Sequence, residues 1–370
     1  MDRPVAIALV VAAVLAIQTS LPGAEALGSL IAIGLVLVLA TRWNVAPLAL
    51  AVLLVIGVAL RAAVEIHTGS DVLDVTGAAI QRMLAGGNPY GIGYDVSRPP
   101  GAPFPYGPLA LLWYAPVQAD GWQLELVVSC VVLTLLALRG RLLGLAIYAL
   151  GPTLVATASD GSNDTSVGLV LLVAFVVARR RPVLGAVGLA VAVALKPYAA
   201  AWAPAFLLWG GWPVAVGFVA STLALWSPVL LTWGVGSFLE SLGRAGAVHA
   251  RTYWSLAQIY ESIPGLPASR DAFDTLRVIL GAATAFGTLR WARSLDGVIL
   301  AGTAAYLVTL FAGYWGTYAY FGAIAPILCW RIDDWLGLES RPLIRLSEPE
   351  PISEPEPISE PGPQGSWQGA

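Results

Sequence analysis

"GPLALLWYAPVQA", residues 107–119, is the stretch on which the topology turns. It is apolar, but it falls short of the roughly 20 residues a helix needs to cross the hydrocarbon, and it carries Pro108 and Pro116. Other apolar segments run over residues 4–18, 26–41, 45–63, 122–138, 142–158, 165–178, 183–195, 198–210, 212–231, 275–289, 297–312 and 315–330. Counting all of these as crossings, and 107–119 as none, puts Arg3, Arg42, Arg139, Arg141, Arg179, Arg180, Arg181, Arg290, Arg293, Arg331, Arg341 and Arg345 on one side. By the positive-inside rule that side is cytoplasmic and holds both termini. A crossing at 107–119 would move every later cluster to the opposite side, so the segment is expected to be a re-entrant or short hairpin arm.

The composition agrees with this expectation. Of 370 residues 57% are hydrophobic and 12% charged, about half the charge of an ordinary soluble domain, and mean hydropathy is +0.75. Val5 to Ile17 resembles a signal-peptide core but lacks a convincing cleavage site, and is expected to be a retained first span. The expected fold class is an all-α polytopic membrane protein with about 12 transmembrane helices. Residues 1–336 form that domain, with long outer loops at 64–106 and 232–274. The tail, 337–370, repeats Ser-Glu-Pro-Glu-Pro-Ile and is expected to be disordered and cytoplasmic. No Gly-rich phosphate loop occurs, and nothing points to nucleic acid. Cys130 and Cys329 lie far apart, and His67 and His249 are too few for a zinc site, so no metal or other cofactor is expected.

In the first outer loop the spacing predicts a helix from Asp71 or Ser70 to about Ala85. Leu73, Gly77, Ile80 and Leu84 share one face, which suits an amphipathic helix on the outer leaflet. Gly86 and Gly87 end it, and Asn88-Pro89 turns the chain. Asp71 and Asp74 fit two roles: capping and first-turn dipole compensation, or a general base held at a low-dielectric boundary.

"DVLDVTGAAIQRMLAGGNPY", residues 71–90, followed by "FPYGPL" at 104–109 and "LKPY" at 195–198, resembles the GT-C superfamily of polyprenol-phosphate-sugar-dependent membrane glycosyltransferases. The family 87 alpha-mannosyltransferases are the nearest in pattern. Val75 stands where an aromatic is usual and Gly107 where proline is common, and the resemblance covers residues 60 to 210. It implies a GT-C-like fold and inverting transfer of mannose or another hexose on the non-cytoplasmic face of a prokaryotic plasma membrane. The donor would be a polyprenyl-phosphate-linked sugar, the acceptor lipid-linked or a glycan, with membrane lipid as a further partner. The resemblance also implies Asp71 as the catalytic base, with Asp74 as the alternative.

An outward-facing phosphate calls for cations near the boundary. Lys196, the single lysine, lies between two short apolar halves and before Pro197 and Tyr198, which suits a phosphate contact at a broken helix; snorkelling is the other reading. Arg244, His249 and Arg251 give the second outer loop a basic stretch, expected to hold phosphate or an acceptor head group. Asn88, Tyr90 and Tyr106 are expected to shape the site. Asp160, Asn163 and Asp164 form a polar turn that caps the helix starting near Thr165 or, less in keeping with the pattern, binds a divalent cation. A transporter or flippase of a lipid-linked or small anionic solute is the main rival, although the apolar segments show no internal duplication.

Overall fold

The computed structural model describes residues 24–42, 45–64, 70–245, 255–263 and 265–338. The expected first span at 4–18, His67, His249, Arg251 and nearly all of the 337–370 tail lie outside the described residues.

The described residues are helical almost throughout. Helices α1 (Ala24–Arg42) and α2 (Ala46–Ala63) precede α3 (Val72–Leu84); a small hairpin of β1 (Gly93–Tyr94) and β2 (Ala102–Pro103) leads to α4 (Pro108–Tyr114). Helices α5 (Gly121–Leu138), α6 (Leu142–Leu150), α7 (Pro152–Thr157), α8 (Asp164–Ala178) and α9 (Pro182–Leu195) follow. The remainder is α10 (Ala203–Trp233), α11 (Val235–Arg244), α12 (Leu256–Glu261), α13 (Arg270–Gly287), α14 (Leu295–Phe311) and α15 (Phe321–Leu336). Proline stands in the first turn of α2, α4, α7, α9 and α10, where its missing N–H costs no helical hydrogen bond.

This architecture corrects the expected fold class. Four helical stretches among the described residues are long and apolar enough to cross a membrane: Ala46–Ala63, Gly121–Leu138, Pro197–Trp233 and Arg270–Trp291. Among the described residues an array of about 12 crossings is not present, so neither the GT-C-like layout nor a multi-pass plasma-membrane placement is retained. The physical reason lies in length and burial. Residues 142–158 break at Gly151-Pro152 into α6 and α7. Helices α8, α9 and α14 have 15, 14 and 17 residues, which at 1.5 Å per residue gives about 21–26 Å, less than the roughly 30 Å of hydrocarbon. Many of their apolar side chains pack together: Leu171, Phe175, Leu189, Ala192 and Val298 belong to one buried cluster, which Ile324 of α15 also joins. A helix apolar all round is the pattern of a core helix as much as of a span. Within α10 the backbone is non-helical at Gly211 (φ 68°, ψ −163°), just before Pro213, so two helical stretches meet there at a kink, as the separate apolar segments 198–210 and 212–231 suggest.

The loop at 86–108 is an ordered unit. Gly93 pairs with Pro103 and Tyr94 with Ala102, antiparallel. Asn88 Oδ1 accepts the Tyr90 N–H at 2.9 Å, and the Tyr94 hydroxyl donates to the Pro89 carbonyl at 2.8 Å. The Tyr90 ring is buried against Phe104, Trp233 and Phe238. Helix α3 packs its Leu73, Val75, Thr76, Ala79 and Ile80 inward, within a second cluster shared with α4 and the hairpin. Its expected lipid-facing stripe is therefore largely a packing face, and only Leu84 of the end residues is well exposed.

Two close contacts hold the frame. Arg61, buried on α2, donates to Ser129 Oγ at 2.6 Å and to the carbonyl of Tyr148 at 2.7 Å, and lies over the Tyr148 ring at 4.9 Å. Gly107 brings the start of α4 onto the end of α9, where an added Cβ would come within 2.1 Å of the Ala194 carbonyl oxygen. A side chain there forces the two segments apart, at a cost of about 1–3 kcal/mol. Gly107→Ala is therefore expected to lower the denaturant midpoint. Gly236→Ala, where a Cβ meets nothing within 4 Å, is expected to leave it unchanged or raise it slightly.

Candidate polar centre at the junction of α3, α4, α8 and α9

The last residues of α9 join the two apolar clusters, with Leu195 in the larger and Ala194 in the smaller. Helix α9 ends at Lys196, whose backbone is extended (φ −138°, ψ 120°) because Pro197 follows. The Lys196 side chain is 2% exposed and its ammonium donates to Asp164 Oδ2 at 2.9 Å. The Tyr198 hydroxyl donates to the other oxygen, Oδ1. The ammonium also lies 5.1 Å and 5.0 Å from the ring centres of Tyr106 and Tyr198. An ion pair removed from water needs such additional partners to offset desolvation.

The turn before α8 carries a second buried carboxylate. Asp160 accepts the Ser162 N–H at 2.8 Å and the Tyr318 hydroxyl at 2.9 Å. Burial pushes its pKa up, and the hydrogen bonds from Ser162 and Tyr318 oppose that shift. Neither Asp160 nor Asp164 caps α8: the N-cap is Asn163, without a side-chain cap bond, and its Oδ1 is buried with no partner. The capping expectation for this turn is thus replaced by an ion pair and a Tyr318 contact. No group of three or more His, Cys, Asp or Glu suited to a metal occurs among the described residues.

Helix α3 sits directly on this turn. The Ser70 N–H donates to the Asp160 carbonyl at 2.6 Å and the Leu73 N–H to the Gly161 carbonyl at 3.0 Å. Asp71 holds the N-cap position of α3 but makes no side-chain cap bond; Ser70 Oγ accepts the Val72 N–H at 3.3 Å. The Asp71 Oδ2 instead accepts the Arg98 N–H at 2.6 Å. Asp74 meets the Arg98 guanidinium at 3.3 Å with both side chains about half exposed, and partial burial raises its pKa. Tyr106 lies between the two halves. Burial holds its hydroxyl's pKa well above the ordinary value, and Asp164, Tyr320 and Asp71 add to the shift.

The structure thus gathers Asp71, Tyr106, Asp160, Asn163, Lys196 and Tyr198. It does not bring Arg244 among them: that residue is exposed and pairs with Glu240 on its own helix at 3.0 Å. Asn88 and Tyr90 shape the hairpin and its core, and the centre is supported by α4 instead. The sequence left five participants unremarked. Tyr318 approaches from residues 158 positions away. Glu125, buried on α5, accepts from the Tyr114 hydroxyl at 2.6 Å and from the Ser166 N–H at 3.0 Å, while Trp113 Nε1 donates to Ser166 Oγ at 3.0 Å. The only local signal for any of these is Glu125 itself, a lone acid in an apolar segment.

No family model, no characterised protein and no solved structure matches the chain. The resemblance to GT-C enzymes therefore rests on short motifs alone, and the fold does not share that superfamily's array of spans. Membership in the polyprenol-phosphate-sugar glycosyltransferases, transfer of mannose or another hexose on a non-cytoplasmic face, and the rival many-span transporter or flippase are all withdrawn. Lys196, the residue expected to meet a phosphate, already has its charge matched by Asp164.

The pair is expected to behave as a unit. Lys196→Met should cost about 3–5 kcal/mol in denaturant unfolding because it leaves a buried carboxylate unpaired, and the added Asp164→Leu should recover much of that loss. Asp160 yields a pH signature of known sign. Its folded pKa lies above the unfolded one, so the folded state binds the proton more tightly and stability falls as pH rises from the unfolded towards the folded value. Asp160→Asn should flatten that part of a stability–pH curve measured by chemical unfolding.

Proposed function

We propose that the polar centre binds a small neutral ligand that carries hydroxyl groups. The supporting observation is a set of polar atoms that the fold leaves without protein partners on α3, on the turn before α8 and at Tyr106. Asn163 Oδ1 is a buried acceptor with none. Among the described residues only Oδ2 of the Asp71 carboxylate is engaged, by the Arg98 N–H. The Tyr106 hydroxyl likewise has no hydrogen-bond partner among the described residues. A buried polar group such as Asn163 Oδ1 is ordinarily matched by protein, water or ligand, and Asp71 and Tyr106, both partly exposed, are open to one.

The chemistry of these atoms selects the ligand class. Two acceptors need donors, and the phenol is both a donor and an acceptor, so a molecule with several hydroxyls satisfies all three. A carboxylate ligand would meet Asp71, Asp160 and Asp164 at close range and be repelled. An ammonium ligand would have no lone pair for the phenol and would share the centre with Lys196. The rings of Tyr106 and Tyr198 supply the apolar walls on which the carbon faces of a polyol rest.

Calorimetric titration with glycerol, a hexitol, propylamine and propionate tests this reading. Saturable heats are expected for the two polyols alone, and Asp71→Ala and Tyr106→Phe should each weaken binding by about 3–10-fold, the value of one hydrogen bond. Equal responses to all four compounds, or polyol binding untouched by both substitutions, would sink it.

A further inference from the structure

Far from the polar centre in sequence, the helix ends that carry the arginine clusters converge. Arg139 at the end of α5 lies over the Trp330 ring of α15 at 5.7 Å. Arg141, just before α6, pairs with Asp334, and Arg331 pairs with both Asp334 and Asp296, the latter at 2.9 Å. Arg179 at the end of α8 lines one small cavity together with Asp296, Trp330 and Arg331. Arg180 and Arg181 follow Arg179 directly, and Arg290 and Arg293 precede Asp296. One end of the molecule therefore collects these side chains.

The charges on this end do not cancel. Its carboxylates are engaged: Asp296 and Asp334 by arginines, and Asp333 by the N–H groups of Leu143 and Gly144 at 3.0 Å and 2.9 Å. Arg139, Arg179, Arg180, Arg181, Arg290 and Arg293 are exposed, and none has a carboxylate partner among the described residues. Such a face attracts anionic chain or ligand.

We infer that the acidic C-terminal segment of this same chain, Ser347 to Glu360, docks on this arginine face. Helix α15 ends at Leu336, three residues beyond Asp333, so the tail leaves from the face itself. After Arg345 the sequence has no basic residue, while Glu348, Glu350, Glu354, Glu356 and Glu360 supply five negative charges. Some ten residues of linker precede the first of these glutamates, enough chain to span up to about 30 Å. Tethering keeps the effective concentration high, which compensates for the modest strength of each exposed ion pair. The inference is independent of the ligand proposed for the polar centre.

Arginine modification in the full-length chain tests it. The chain is treated with phenylglyoxal at low salt and the rate at each arginine is read by peptide mass spectrometry, beside a variant in which the five glutamates are changed to Gln. Arg139, Arg179, Arg180, Arg181, Arg290 and Arg293 are expected to react several-fold faster in the variant. Arg244 should be indifferent, and the difference should vanish near 1 M salt, where the screening length is about 3 Å. Equal rates in the two chains at low salt would overturn the inference. So would protection seen only after adding phosphatidylglycerol vesicles or inorganic polyphosphate, which would assign the face to an external polyanion.

Discussion

The buried pair of Lys196 and Asp164 is the constraint around which the polar half of the molecule is arranged. A charge with 2% exposure cannot be left alone in a medium of low dielectric constant. Its partner must come from another helix, because no carboxylate lies near Lys196 in the chain. Meeting that need fixes the end of α9 against the start of α8, places Tyr198 on the second carboxylate oxygen, and brings the Tyr106 ring over the ammonium. Gly107 then has to be glycine, since the chain entering α4 passes within touching distance of the Ala194 carbonyl.

Around this pair the other polar groups fall into ranks. Asp160 is tied to Tyr318 and its own turn, and α3 is hung on the carbonyls of Asp160 and Gly161. Glu125 secures the first turn of α8 through Ser166 from the opposite side. What is left over is small and specific: Asn163 Oδ1, one face of the Asp71 carboxylate and the Tyr106 hydroxyl. A ligand would be recognised there by atoms that the folding of the chain has no other use for.

Much of the local structure was legible in the sequence. Helix α3 begins where Ser70 and Asp71 stand and stops before Gly86 and Gly87, and α9 breaks at Lys196-Pro197 as the proline requires. The gathering of Asp71, Tyr106, Asp160, Asn163, Lys196 and Tyr198 was legible only as separate polar residues in an apolar chain. The roles attached to them were less so: Asp71 is no side-chain cap, Asp164 is no cap, and Lys196 is a paired charge. In each case a partner distant in sequence claimed the group first.

By itself the sequence determined that the chain is helical, where most helices begin and end, and which few charges lie inside apolar stretches, because proline, glycine and apolar run length act over a handful of residues. Whether an apolar helix faces lipid or another helix was decided only by the tertiary structure. Periodicity is silent on that point when every face is apolar: α8, α9 and α14 read as spans yet are too short to cross, and much of their apolar surface is buried in one core. The same holds for charge, since the location of Asp164 relative to Lys196, or of six arginines relative to one another, is a property of how helices pack and not of the order in which they are strung.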